Sequence, residues 1–114
     1  LTLDIFLRDL RPPRLIKIDA EGAEAAILEG GVGVLGPDKV PFILCELHEA
    51  ALNQLGASQR SLRDIAVSLG YETFVIFDDG SRPLLSPPDQ VLRPKRANYV
   101  VLFSTINAVF EAWP

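Results

Sequence analysis

The sequence contains no methionine and a single cysteine among its 114 residues. The lone Cys45 excludes an internal disulfide framework. No apolar run reaches the ~20 residues that a membrane-spanning helix needs, and no signal peptide is visible. We therefore expect a cytoplasmic protein with no membrane span. Because the chain lacks an initiator methionine and begins inside an amphipathic pattern, we also expect a fragment of a longer protein, cut on its N-terminal side.

Positive charge is also scarce. Eleven basic residues face fifteen acidic ones, and the formal net charge is −4. The basic cluster at residues 93–96 is short and interrupted by a proline, which is typical of a solvated loop. Proteins that bind nucleic acid concentrate Lys and Arg on one surface, so we expect no nucleic-acid partner. A hydrophobic content of 48% is enough for a packed core, and the length suits one small domain.

The most informative stretch is residues 15–30. Residues 15–18 read as a short buried strand, and Asp19 and Glu21 follow at once. Apolar residues then recur with helical spacing over residues 23–30, so the period changes from strand to helix within about four residues. A strand that leads directly into a helix is typical of a parallel α/β layer, in which ligands bind at the carboxyl ends of the strands. Asp19 and Glu21 therefore lie where such proteins do their chemistry.

A plainer interpretation of the same acidic residues stays open. Carboxylates in the first turn of a helix stabilise the helix dipole by ~0.3–1 kcal/mol each. Asp19 and Glu21 could serve the predicted helix over residues 21–29 in this way. Glu24 is expected on the solvated or packing face of that helix.

A second strand ends in the same manner. Residues 42–45 are strongly apolar and run into Glu46, Leu47, His48 and Glu49. If the two strands are parallel neighbours, their acidic ends lie side by side, since adjacent strands are ~4.8 Å apart. Glu46 and His48 alternate onto one face of the strand, whereas Cys45 points the other way, into the core.

The order of predicted elements is α, β, α, β, α, β, β. Helices separate the first three strands, which implies parallel pairing, and the last strand is expected to be antiparallel at or near the edge. The predicted elements are a helix with a buried stripe at Leu3, Phe6, Leu7 and Leu10, strands at 14–18, 42–45, 71–77 and 98–103, helices at 21–29 and from Ser58, a loose helix or loop at 50–57, a short extended piece at 84–85, and a tail at 105–114.

Residues 17–24 read Lys-Ile-Asp-Ala-Glu-Gly-Ala-Glu. This block resembles the characteristic stretch of FkbM-type methyltransferases. The proline-led strand of residues 41–48, which ends in Glu and His, and the Leu-Asp pair at 3–4 are similar to other parts of that family. The resemblance covers roughly residues 2–103.

The resemblance implies an α/β fold that is the C-terminal half of a Rossmann-type (class I) methyltransferase sheet. The chain would supply strands four to seven, with an antiparallel last strand inserted between the fifth and the sixth. Residues 1–104 would form the C-terminal part of the domain, and residues 105–114 a tail. The N-terminal half, with the Gly-rich turn that holds most of the cofactor, would be absent.

The resemblance also implies S-adenosylmethionine as the cofactor and an oxygen of a small molecule or glycan as the methyl acceptor. Asp19, Glu21 and Glu46 take catalytic positions near this acceptor, where Asp19 could accept a proton from a hydroxyl group. Lys17 and His48 take substrate-binding positions, although Lys17 could equally snorkel at the strand end or pair with a carboxylate.

Two alternatives remain, and one further expectation concerns the isolated chain. A divalent metal could be held by Asp19, Glu21, Glu46 and His48, although no metal site is included in the predicted set. The chain could also be a non-catalytic α/β docking module, truncated or degenerate. Finally, the strand at residues 15–18 would have one unpaired edge, and exposed apolar edges recruit other chains. We therefore expect the 114 residues alone to self-associate or aggregate and to bind S-adenosylmethionine negligibly.

Overall fold

The computed structural model describes residues 1–93 and 99–114. Asn98, which the sequence assigns to the last strand, lies outside the described residues. The elements, in chain order, are α1 Leu3–Leu7, β1 Leu15–Ile18, α2 Glu24–Glu29, β2 Phe42–Leu47, α3 Glu49–Gln54, α4 Gln59–Ser68, β3 Glu72–Val75, β4 Leu84–Ser86, β5 Tyr99–Ser104 and α5 Ile106–Ala112.

The described strands form one mixed sheet in the order β1-β2-β5-β3-β4. β1 and β2 are parallel, as predicted. β5 runs antiparallel to both of its neighbours, β2 and β3, so β3 points in the same direction as β1 and β2. The architecture is α/β, because α2 follows β1, and α3 and α4 connect β2 to β3.

The expectation from the element order that the last strand lies at or near the edge of the sheet is wrong, because β5 is the central strand of the five. β5 lies between β2 and β3, and its residues Val101, Leu102 and Phe103 are buried. The run of four apolar residues from Val100 to Phe103 has no polar alternation, and strands buried on both faces read in this way. The absence of a helix before the last strand correctly predicted its antiparallel direction, but it did not predict the position of the strand in the sheet.

The main core lies between α2, α4 and one face of the sheet. Ile43, Cys45, Val101 and Phe103 point to this side, where Leu28 of α2 and Leu62 of α4 cover them. The cap of α4 is as predicted, because the Ser58 hydroxyl accepts a hydrogen bond from the Ser61 amide at 3.1 Å. Because Leu28 of α2 and Leu62 of α4 belong to the same core, the two helices cover the same face of the sheet.

The opposite face of the sheet packs against α5. Val109 of α5 is buried with Phe74 and Leu102, and the Trp113 ring meets Phe42 edge-on at 6.4 Å between centroids. Residues 105–114 therefore contain a packed helix, which Thr105 caps by accepting from the Ala108 amide. The domain boundary at residue 104 stays a prediction.

The first helix is shorter than the apolar pattern suggests. α1 ends at Leu7 and buries no residue completely, and Phe6 and Leu10 are 56% and 54% exposed. The prediction of one buried stripe is wrong for these two side chains, because the helix ends before its second turn is complete. No helix in the described part of the chain is long and apolar enough to cross a membrane.

Candidate functional site

The candidate site lies where β1 and β2 end. The parallel register places Ile18 opposite Cys45, so Asp19 and Glu46 follow on neighbouring strands at the same edge. A cavity of about 330 Å³ opens there. Its walls are formed by Asp19, Glu21, Glu24, Glu46, His48, Ala50, Ala51 and Gln54.

Four of the five predicted site residues line this one cavity: Asp19, Glu21, Glu46 and His48. Lys17 does not line it. Its side chain is exposed on β1, and within residues 1–93 and 99–114 it forms no ion pair with Asp19 or Glu46. The structure therefore brings together the acidic ends of both strands and the imidazole, while the lysine stays outside.

A turn with unusual backbone geometry separates β1 from α2. Glu21 has φ +46° and Gly22 has φ +105°, and α2 begins at Glu24 rather than at the predicted Glu21. Asp19 and Glu21 are therefore not in the first turn of the helix, and the helix-dipole interpretation applies to Glu24 instead. A residue other than glycine in the left-handed region is uncommon and is often found at functional sites.

Gly22 allows α3 to approach this turn closely. A Cβ atom added at Gly22 would lie 2.2 Å from the carbonyl oxygen of Ala51. Because glycine has no side chain, the backbone of α3 can pack directly against the turn. This contact fixes the wall formed by α3 relative to the wall formed by Asp19 and Glu21.

Glu24 is the site residue that the sequence reasoning did not select. Its side chain is 1% exposed, and its Oε2 atom accepts a hydrogen bond from the Gly22 amide at 2.8 Å. It lies on the packing face of α2 and also lines the cavity. The signal was present in the sequence, since Glu24 closes the acidic motif that begins at Asp19.

Cys45 lies on the core side of β2, as predicted, and is buried. Burial, together with the smaller effect of the negative charge of Glu24, raises the pKa of its thiol from 9.0 to about 12. The thiol therefore stays protonated at neutral pH and serves as core packing rather than as a nucleophile.

His48 and Glu49 follow β2 and have different roles. His48 is half-buried and lines the cavity, and its side chain makes no capping hydrogen bond to α3. The carboxylate of Glu49 instead accepts from the Gln59 amide at 3.1 Å, at the start of α4. The imidazole is thus available to a ligand, whereas Glu49 is engaged in holding α4.

The metal alternative gains no support from the geometry. Among residues 1–93 and 99–114, no group of three or more His, Cys, Asp or Glu side chains is arranged to hold a metal ion. The four predicted ligands line one cavity, but they do not form such a group.

Comparison with known families finds a match to the Methyltransferase FkbM domain over residues 1–73. The matched segment includes β1, α2, β2 and α3, and therefore every residue that lines the acidic cavity. No curated protein and no solved structure matches the chain significantly. The match covers well over half of the sequence, and the chain belongs to the FkbM methyltransferase domain family.

Proposed function

We propose that the chain forms the acceptor side of an S-adenosylmethionine-dependent methyltransferase that methylates an oxygen of a small molecule or glycan. The observation that carries this proposal is the cavity at the carboxyl ends of β1 and β2. It gathers Asp19, Glu21, Glu24, Glu46 and His48 in one place, inside the segment that matches the methyltransferase family.

The strand order supports a class I arrangement. An antiparallel β5 between β2 and the co-directional β3 has the same pattern as the fourth, fifth, seventh and sixth strands that the resemblance implies. We therefore propose β1, β2, β3 and β5 as strands four, five, six and seven. β4 would be an addition at the outer edge, beyond the sixth strand.

The residues of the cavity fit only part of S-adenosylmethionine. Its ammonium and sulfonium groups are positively charged, and carboxylates are suitable partners for them. Of the residues that line the cavity, only Ala50 and Ala51 are apolar, which leaves little surface for an adenine ring. We therefore propose that residues outside this cavity hold most of the cofactor, and we assign these carboxylates to the acceptor.

Carboxylates are hydrogen-bond acceptors, so they suit an acceptor molecule that offers hydroxyl donors. In this proposal Asp19 accepts the proton that the hydroxyl group loses as its oxygen is methylated. Glu46, on the neighbouring strand, and Glu21, held in a left-handed conformation by the turn, orient the hydroxyl. His48 contacts the substrate from the wall formed by α3, and Lys17 contacts any part of it that extends over β1.

The Asp19→Asn substitution tests the proposal. In the intact polypeptide that carries these residues, we expect transfer of a labelled methyl group from S-adenosylmethionine to hydroxyl-bearing acceptors to fall by roughly 10²–10⁴-fold, the usual contribution of a general base. Asp38→Asn is the matched control, because Asp38 is exposed and lines a different cavity, together with Pro12 and Pro41 ahead of the two strands. Its rate should equal that of the wild type.

Three outcomes would contradict the proposal at different levels. A wild-type rate in Asp19→Asn would remove the role given to Asp19. A wild-type protein that binds S-adenosylmethionine but methylates only nitrogen acceptors would remove the oxygen preference. Failure to bind S-adenosylmethionine at all would favour the non-catalytic docking module.

A further inference from the structure

The turn between β1 and α2 has a backbone conformation that is unusual for its sequence. It spans residues 20–23, and the Ala23 amide donates to the Ala20 carbonyl at 3.3 Å. Both central residues, Glu21 and Gly22, have a positive φ, as in a type I′ turn. Glycine adopts this conformation without steric cost, but the first central position is usually taken by Gly, Asn or Asp. Glu21 therefore needs a contact from outside the turn to hold it there.

Glu24 supplies that contact. Its Oε2 atom accepts a hydrogen bond from the Gly22 amide at 2.8 Å, and this bond is buried. A side chain that caps a helix pairs with the amide of the N-cap residue or with amides of the first turn. The N-cap of α2 is Ala23, so the Gly22 amide lies ahead of the helix. The hydrogen bond therefore stabilises the turn and not the start of α2.

The surroundings of Glu24 leave its carboxylate little freedom to move. The side chain is 1% exposed, and it lies close enough to Cys45 in the core for its charge to raise the pKa of that thiol. On the other side, the Gly22 backbone packs against the carbonyl oxygen of Ala51. The carboxylate is thus a fixed acceptor between the core side of β2 and the turn.

We propose that Glu24 is a positioning residue of the methyl-transfer site: by accepting from the Gly22 amide, it holds the turn in the conformation that places Glu21 at the wall of the cavity. This inference rests on the proposed function, in which Glu21 orients the acceptor hydroxyl. Glu24 acts through Glu21. Because the oxygen atom and not the negative charge accepts the hydrogen bond, a neutral amide at this position can hold the turn as well.

Methyl transfer by variants of the intact polypeptide that carries these residues gives the first test. Glu24→Met removes the acceptor at similar side-chain size and leaves the buried Gly22 amide without a partner. We expect kcat to fall about tenfold, because a misplaced group in an active site can cost up to ~10²-fold, whereas the KM for S-adenosylmethionine should not change. Glu24→Gln, which keeps an oxygen, should recover most of this loss. Glu29→Met is the matched control, the same substitution at the exposed end of α2, and its kcat should equal that of the wild type.

A double-mutant cycle separates positioning from general destabilisation. If Glu24 acts through Glu21, the loss caused by Glu24→Met should disappear in a Glu21→Ala background, because that background has no carboxylate left to position. The double variant should therefore be no slower than Glu21→Ala alone. A purely structural role of Glu24 would lower kcat by the same factor in both backgrounds.

Two measurements by nuclear magnetic resonance report on the turn without any need for activity. In the wild type and in Glu24→Gln, the Gly22 amide should exchange slowly with solvent. The amide and α protons of Glu21 should also give the strong nuclear Overhauser effect that marks a positive φ. In Glu24→Met we expect faster exchange at Gly22 and a weaker Overhauser effect at Glu21.

Several results would overturn the proposal. These are a wild-type kcat in Glu24→Met, an equal loss in the Glu21→Ala background, a Gly22 amide that stays protected in Glu24→Met, and a loss in Glu24→Gln as large as that in Glu24→Met. A wild-type polypeptide that transfers no methyl group would contradict the proposed function instead, and the exchange and Overhauser measurements would still show whether Glu24 holds Glu21 in place.

Discussion

Glu24 and Arg63 are both buried charged side chains, and the molecule holds them in opposite ways. They are 1% and 3% exposed, respectively, and within residues 1–93 and 99–114 neither forms an ion pair. One lines the acidic cavity, and the other anchors the far flank of the sheet. The difference lies in how completely each charge is hydrogen-bonded.

Arg63 is extensively hydrogen-bonded. Its guanidinium makes five hydrogen-bond contacts, all with neutral oxygens, and three of them share the two N–H groups of Nη2. The partners are the Thr73 hydroxyl, the hydroxyl and carbonyl of Ser86, and the carbonyls of Pro87 and Gln90. Burial lowers the pKa of Arg63, yet a guanidinium remains charged in proteins. The side chain therefore fastens β4 and the segment after it to α4.

Glu24 is only partly engaged. In the described part of the chain its carboxylate accepts one hydrogen bond, from the Gly22 amide, although it can accept about four. Its remaining capacity lies at the wall of the cavity. The comparison teaches that a buried charge with all its partners in place is structural, whereas a buried charge with unused capacity beside a cavity is poised for a ligand.

The largest expected effect is the loss of the Arg63 network. Arg63→Met leaves several buried oxygens without a donor, and each such group costs about 1–3 kcal/mol. We expect the free energy of unfolding to fall by about 4 kcal/mol in urea titrations. Arg60→Met on the same helix, at an exposed position, should change it by less than about 0.5 kcal/mol. Equal effects of the two substitutions would contradict the structural role of Arg63.

The next largest effect concerns the donor to Glu24. Gly22→Ala places a Cβ atom 2.2 Å from the Ala51 carbonyl oxygen, so the turn or α3 must move, and we expect a loss of about 3 kcal/mol. Gly56→Ala is the control, since Gly56 also has a positive φ, +78°, but open space around it. Its backbone strain alone should amount to about 1–2 kcal/mol. The same urea titration measures both, and a Gly22→Ala loss no larger than this control would rule out the close contact with α3.

The turn before α2 and the burial of Arg63 also show which parts of the structure could be predicted from the sequence and which could not. Apolar runs and glycine stops predicted the strands β1 and β2, their parallel pairing and the meeting of Asp19 with Glu46. They did not predict the late start of α2, because periodicity carries no information on the left-handed backbone at Glu21. Nor could they predict the burial of Arg63, whose partners lie 10 to 27 residues away in sequence.

A smaller effect of opposite sign is expected at Glu24 itself. Glu24→Gln keeps an oxygen for the Gly22 amide but removes an unpaired buried charge, whose desolvation is unfavourable. Unfolding in urea at pH 7 should show the variant to be more stable than the wild type by about 1 kcal/mol. Glu29→Gln, at the exposed end of α2, should show no gain. Destabilisation by Glu24→Gln would mean that the carboxylate is structural, like Arg63.

The smallest effect is a change in pH dependence. Because the pKa of Cys45 is raised from 9.0 to about 12 in the folded chain, the protonated thiol contributes stability that is complete below pH 9 and is lost as the pH rises towards 12. Glu24→Gln removes the smaller cause of the raised pKa, so this loss should still begin near pH 9 but end at a lower pH and be smaller in total, with a difference below about 1 kcal/mol.

Urea unfolding of the wild type and of Glu24→Gln between pH 8 and 11 measures how the free energy of unfolding of each protein depends on pH. The Cys45→Ala background is the control, in which the effect of Glu24→Gln on the slope should disappear. Tyr71, whose pKa burial also raises, contributes equally to all the variants. If the free energy of unfolding changes with pH equally in the wild type and in Glu24→Gln, the charge of Glu24 does not affect the pKa of Cys45.

The central position of β5 has a consequence for the making of this protein. β5 joins the β1–β2 pair to the β3–β4 pair, yet it is the last of these five strands to leave the ribosome. Translation proceeds at about 5–20 residues per second, so the nascent chain waits roughly several seconds between the emergence of β2 and that of β5. During this interval the apolar edge of β2 is exposed to other nascent chains. Chaperones that recognise apolar segments would therefore meet two half-sheets that β5 has not yet joined. A chain terminated before residue 99 would leave the same two half-sheets unjoined.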